Sequence, residues 1–173
     1  GDTVYFATSI DTKQTLWKTQ GTAASTDKVK TINSPTNDDI GELTNVDGQL
    51  FFIADSDGFG NELWTSDGTG AGTKRVTDIN PGVGDLNYIG AAGLTAIGSS
   101  VYFGASDGAN GFELWTSKGT EDSTELVADL YPGVVNGSFP NSSNPRALVA
   151  LGGRLFFGAT TANGHELYRF DPD

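Results

Sequence analysis

A segment that returns about every fifty residues limits what this chain can fold into more than any other feature. Residues 61–73 read NELWTSDGTGAGT and residues 112–124 read FELWTSKGTEDST. Residues 15–26 read TLWKTQGTAAST, and residues 166–170 read ELYRF. Trp17, Trp64, Trp115 and Tyr168 hold the same place, at steps of 47, 51 and 53 residues. Three more landmarks keep that rhythm. VYF or LFF occurs at 4–6, 50–52, 101–103 and 155–157. LTNVDGQ, LTAIGSS and LVALGGR begin at 43, 94 and 148, and KVKTI, KRVTDINPG and ELVADLYPG begin at 28, 74 and 125.

These apolar runs are short, rich in β-branched and aromatic residues, and separated by DG, GS, GG, NG and PG pairs, the composition of strands joined by tight turns. No window keeps a helical apolar period, so almost no helix is expected. Asp47-Gly48, Gly98-Ser99 and Gly152-Gly153 fall between two strand-like runs, where a two-residue hairpin turn needs positive φ. Each repeat then reads as a four-stranded antiparallel meander, the pattern of a propeller blade. The expected fold is all-β: a propeller-like array of about four blades in a single domain, 1–173, with repeats at about 1–42, 43–92, 93–146 and 147–173. The first and last blades are incomplete, with three strands each. A four-bladed ring, part of a longer propeller, and half of a ring completed by a second chain all fit this pattern.

Composition narrows the function. The net charge of −12 disfavours nucleic acid and anionic membrane surfaces as partners. No apolar run is long enough for a membrane helix, so membrane insertion is not expected. There is no Cys for a disulfide, a thiolate metal site or a thiol nucleophile, and the absence of Met at position 1 points to a start set by processing or design.

The stretch LFFIADSDGFG followed by ELWTSDGTGAGTKRVTDINPG at 62–82 resembles the ELWxxDGT repeat of large secreted or surface-exposed bacterial proteins. The likeness is strongest in the second and third repeats. Thr15 and Gln20 depart from it in the first, and the last stops before the DGT segment. The resemblance implies an extracellular or cell-surface repeat module and brings no active site with it. The SDGT turn is also similar to the Asp-box hairpin of sialidase-type propellers.

Two readings attach to the repeated aromatics. Trp17, Trp64, Trp115 and Tyr168 either fill the wedges between blades or stack on sugar rings. Glu62, Glu113 and Glu166 lie on the same strand face as these rings, where a carboxylate needs backbone N–H or cationic partners. Asp67-Gly68-Thr69 reads as a turn satisfied by its own side chains, since Gln20 and Lys118 replace the Asp elsewhere. Asp55, Asp57, Asn61 and Glu62 in DSDGFGNE form the candidate Ca²⁺ loop, offering hard oxygens around two Gly. The alternative there is a plain hairpin loop. His165 reads as a turn residue. Residues 134–146, VVNGSFPNSSNPR, have loop composition and read either as a binding surface, with Phe139 and Asn141 as its candidate contacts, or as a spacer. Asn136 and Asn141 head glycan-acceptor triplets.

The expected function is a noncatalytic extracellular scaffold for adhesion or assembly, with glycans or surface proteins as partners, or self-assembly. A lectin-like carbohydrate-binding propeller is the alternative, and a glycan-active enzyme fragment comes third.

Overall fold

The computed structural model describes residues 3–11, 13–33, 40–56, 60–80 and 93–172. Strands β1 (Val4–Ile10), β2 (Lys13–Thr19) and β3 (Asp27–Asn33) form the first sheet in that order. The second consists of β4 (Gly41–Val46), β5 (Gln49–Asp55), β6 (Asn61–Ser66) and β7 (Lys74–Arg75). The third consists of β8 (Thr95–Ile97), β9 (Ser100–Ser106), β10 (Phe112–Ser117) and β11 (Glu125–Ala128). A small hairpin of β12 (Val134–Val135) and β13 (Phe139–Pro140) precedes the last sheet, β14 (Arg146–Leu151), β15 (Arg154–Thr161) and β16 (Gly164–Phe170). All pairing is antiparallel between chain neighbours, so each sheet is a meander. Helix is limited to two 3-10 turns among the described residues, Ala23–Ser25 and Glu121–Ser123.

The turn chemistry sets these borders. Asp47 and Gly48 have φ of 50° and 86°, and Gly152 and Gly153 have 60° and 76°. Such pairs twist in the sense of the flanking strands. The 134–146 segment differs from the loop expected of it. Asn136 and Gly137, both at positive φ, turn the chain so that Val135 pairs with Phe139. Its Asn and Gly therefore serve a hairpin turn rather than an open link.

Alternation along the strands decides which residues meet. Phe6 pairs with Trp17, Phe52 with Trp64, Phe103 with Trp115 and Phe157 with Tyr168, the same rung in each sheet. The residue before each repeat aromatic, Leu16, Leu63, Leu114 or Leu167, points to the other face. Stacked sheets thus bring the Leu face of one blade onto the aromatic face of the next. Leu16, Val29 and Ile32 of blade 1 pack with Phe52, Ala54 and Trp64 of blade 2. Phe51, Ile53 and Leu63 of blade 2 pack with Phe103, Ala105 and Trp115 of blade 3. Tyr102 and Leu114 of blade 3 pack with Leu155, Phe157 and Tyr168 of blade 4. Each fully buried Phe or Leu contributes about 1.5–3 kcal/mol by leaving water.

The first strands also touch in succession. Thr44 Oγ1 donates to the Leu94 carbonyl at 3.4 Å, and Thr95 Oγ1 donates to the Leu148 carbonyl at 3.3 Å. One core position conflicts with the pattern. Gln14 is 1% exposed, and neither side-chain amide atom has a hydrogen-bond partner among the described residues. Burying an unpaired amide is unfavourable, so Gln14→Leu is expected to stabilise the fold by about 1 kcal/mol. Urea unfolding would read this as a higher midpoint with an unchanged slope.

Candidate functional site

The repeat places four aromatics on equivalent rungs, and their surroundings differ. Trp64 is 7% exposed, stacks on Phe52 at 6.0 Å and donates its indole N–H to the Ala54 carbonyl at 3.1 Å. Lys30 of blade 1 sits over its ring at 6.0 Å. Trp115 is half-buried against the blade 2 face. Tyr168 stacks on Phe157 at 5.8 Å and donates its hydroxyl to Glu166 at 3.2 Å. Trp17 belongs to none of the three apolar clusters. It stacks on Phe6 at 6.3 Å and donates to Thr8 Oγ1 at 2.9 Å, beside the hydroxyl pair of Thr15 and Thr31.

The repeated glutamate acts as a strap. Glu113 is completely buried. Its Oε1 accepts from the Ser143 N–H at 2.6 Å, and its Oε2 accepts from the Leu130 N–H at 3.2 Å and from the Ser143 hydroxyl. Burial pushes the carboxyl above its ordinary value, against the opposing pull of the Ser143 and Leu130 donors. In blade 2, Glu62 likewise accepts from a downstream backbone donor, the Ile79 N–H, at 3.4 Å. Glu166, in the last blade, is exposed.

The strapped segment is held at further points. The Thr160 N–H donates to the Ser143 carbonyl at 2.7 Å, the Asn144 N–H to Phe112 at 3.1 Å, and Ser142 Oγ accepts from the Phe112 N–H at 2.9 Å. Asn141 is 9% exposed, and its side chain donates to the Pro132 carbonyl at 3.1 Å. Gly111 lies directly under the Asn141 carbonyl with φ of +76°, leaving no room for a Cβ. Of the two candidate contacts in this insertion, Asn141 is therefore turned into the fold. Phe139 is turned out at 73% exposure, next to the exposed Val134 and Val135.

The DGT turns are closed by protein groups. Asp67 Oδ1 accepts from the Thr69 N–H at 2.8 Å and from Thr69 Oγ1 at 2.7 Å. The Thr69 side-chain bond is the main cause holding the Asp67 carboxyl below its ordinary value. Where Gln20 or Lys118 replaces the Asp, the residue five places on is a serine. Ser25 Oγ accepts from the Gln20 N–H and Ser123 Oγ from the Lys118 N–H, both at 3.2 Å. Where the Asp is present, that place is Gly72, because a Cβ there would collide with the Asp67 carboxylate. Gly72→Ser alone is expected to lower the melting temperature, and adding Asp67→Gln should restore it. A double-mutant cycle followed by thermal melting checks this, and additive losses would refute it.

In the candidate Ca²⁺ loop, Asp55 pairs with Asn61 across the β5–β6 ladder, and Glu62 sits on the next rung. Asp55 and Glu62 are each 1% exposed. Asp57 lies outside the described residues. Among the described residues, no group of three His, Cys, Asp or Glu side chains could hold a metal ion. The matching loop of blade 3 is closed by its own donors. Asp107 accepts from the Ala109 and Asn110 N–H groups at 2.9 and 2.8 Å and from Asn110 Nδ2 at 2.6 Å. His165 is exposed, with Nδ1 at 3.3 Å from Thr160 Oγ1.

A half-open cavity of about 650 Å³ lies where blades 3 and 4 meet, lined by Tyr102, Thr116, Lys118, Glu125, Val127 and Phe170 among others. Tyr102 and Phe170 form its apolar corner with their rings 5.8 Å apart, and Lys118 and Glu125 bring opposite charges to it. Sequence reading does not reveal it, because its walls come from strands of two repeats.

Consecutive small antiparallel meanders packed face to face define a propeller-like all-β chain. No family model and no curated protein matches the sequence. A crystal structure of puromycin hydrolase is similar over 99% of this chain, with a TM-score of 0.63 and 12% identity. The chain covers 25% of that enzyme. An engineered GH43 glycoside hydrolase with endo-xylanase and exo-arabinofuranosidase activity matches over 96% of this chain at a TM-score of 0.40 and 14% identity, and the chain covers 37% of it. At these identities the first likeness shows the fold alone, and the second adds no argument.

Proposed function

We propose that this chain is a noncatalytic, cell-surface repeat module of the ELWxxDGT kind, acting as a rigid scaffold for adhesion or assembly. The supporting observation is what the repeated residues do. The aromatics and leucines pack blades, Glu113 straps a loop, and the DGT residues close turns. A repeated need of the architecture accounts for a repeated residue, whereas a catalytic site requires its groups only once. The strapped hairpin with exposed Phe139, Val134 and Val135 is the part that varies, and surface variation on a fixed frame is where binding is placed.

A carbohydrate-binding reading is favoured by one observation. Trp17 is a repeat aromatic outside the blade-to-blade clusters, and it is bordered by the hydroxyls of Thr8, Thr15 and Thr31. An aromatic face with polar neighbours suits a sugar ring. A glycan array in the presence of Ca²⁺, repeated after chelation and with Trp17→Ala, separates the readings. Specific binding lost in Trp17→Ala would replace the scaffold reading by the lectin one, and a blank array keeps the scaffold. A calcium role would rest on Asp55, Asp57 and Asn61 with Glu62. An unchanged melting temperature on adding Ca²⁺ would remove it.

A further inference from the structure

Asn followed by Gly is the dipeptide whose backbone attacks its own side chain most readily, because Gly puts no Cβ in the path of its nitrogen. The sequence holds three such pairs, Asn110-Gly111, Asn136-Gly137 and Asn163-Gly164, and the fold treats them differently. Asn110 is tied down. Its Nδ2 donates to Asp107 Oδ2 at 2.6 Å, its N–H to Asp107 Oδ1 at 2.8 Å, and Gly111 is wedged under the Asn141 carbonyl. Asn163 stands exposed at the tip of β15 and β16, where Gly164 pairs with Thr161 across a two-residue turn. The N–H of the fourth residue is the donor that closes such a turn, so the nitrogen that would attack is engaged. That turn also ends an unbroken ladder running from Leu155–Phe170 to Thr161–Gly164.

Asn136-Gly137 meets neither restraint. The turn over 135–138 is closed by the Ser138 N–H, which donates to the Val135 carbonyl at 3.2 Å. Gly137 is thus a central turn residue, and its N–H takes no part in the closing bond. Asn136 is exposed, and nothing lies within 4 Å of a Cβ built on Gly137. The supporting ladder consists of Val134–Pro140 and Val135–Phe139, and Pro140 has no N–H to contribute. So short a ladder, with Val134, Val135 and Phe139 all exposed, opens locally at small cost and frees the Asn136 backbone to bring the Gly137 nitrogen onto the side chain.

We propose that Asn136 is a site of spontaneous self-modification, at which the Gly137 nitrogen closes a succinimide ring on the Asn136 side chain. The Gly137 amide proton passes to solvent base as the N–Cγ bond forms, and the Cγ–Nδ2 bond breaks with loss of ammonia. Water then opens the ring. Breaking the bond from the Gly137 nitrogen to Cγ leaves Asp, and breaking its bond to the Asn136 backbone carbonyl carbon leaves isoaspartate. Each event adds one negative charge between the exposed Val135 and Phe139. Under the scaffold reading this alters the binding hairpin as the protein ages, whereas the modification itself does not depend on that reading.

Incubating the full native chain in mildly alkaline buffer and mapping its tryptic peptides by mass spectrometry tests this. The three pairs fall in separate peptides, 76–118, 119–146 and 155–169. Peptide 119–146 should gain one mass unit several-fold faster than the other two, with fragmentation placing the gain at Asn136 and chromatography separating an isoaspartate form from an Asp form. The rate should rise with hydroxide concentration, and Gly137→Ala should slow it several-fold. In guanidinium the three peptides should convert at similar rates, because the restraints on Asn110 and Asn163 are gone. Equal conversion of the three in the native chain, a gain placed at Asn141, or a 119–146 peptide that stays intact while the denatured chain converts would each overturn the proposal. None of these readouts involves a partner or a glycan, so a failure here is distinct from a failure of the scaffold reading.

Discussion

Glu113→Ala should cost about 3–5 kcal/mol in urea unfolding, because it strips three donors, two of them buried, of their acceptor at once. The Ser143 N–H and hydroxyl and the Leu130 N–H all point at this carboxylate. With it gone, the segment carrying β12 and β13 loses its anchor, and limited proteolysis should cut between 134 and 146 first. Glu113→Gln gives a different signature. The Glu113 pKa is raised in the folded chain, so the fold binds this proton more tightly than the unfolded chain does. That contribution is fully present below the unfolded value and is lost as pH rises through the folded one. From the ordinary glutamate range upward into mildly acidic pH, wild-type stability should therefore fall relative to Glu113→Gln. Parallel stability curves for the two proteins would exclude ionisation at this site as the cause.

Phe103→Ala is the second large effect, at about 3–5 kcal/mol. Phe103 is 0% exposed, pairs with Trp115 across the ladder and lies at the centre of the joint between blades 2 and 3. For a domain whose total stability is of order 5–15 kcal/mol, that loss approaches half of it or more. Trp115 fluorescence should move to longer wavelength well before the chain unfolds. A cost below about 1 kcal/mol would mean that the joint closes over the gap and is less tightly packed than Phe103 implies.

The strands were readable because each repeat states the same local pattern several times. VYF or LFF pairs with the Trp or Tyr run in every sheet, and the Asp47-Gly48 and Gly152-Gly153 turns adopt the backbone that their residue types favour. What stayed hidden depends on contacts between distant residues. Glu113 and Ser143 are thirty positions apart, and nothing local in NSSNP announces that its serine will satisfy a carboxylate. The β12–β13 hairpin was missed because its strands are two residues long, too short to show alternation. Trp17 looks like its three counterparts in sequence. Its different surroundings follow only from the direction of stacking, which places each aromatic against the blade before it.

The main contacts between sheets run from β1 to β4, from β4 to β8 and from β8 to β14, always between neighbours in the stack. Opening such a chain is a one-dimensional problem. Among the described residues, blade 2 and blade 3 each take part in two joints, whereas blade 1 and blade 4 each take part in one. Amide hydrogens of β1 and β16 should then exchange with solvent well before those of β5 and β9, with protection rising from both ends toward the middle.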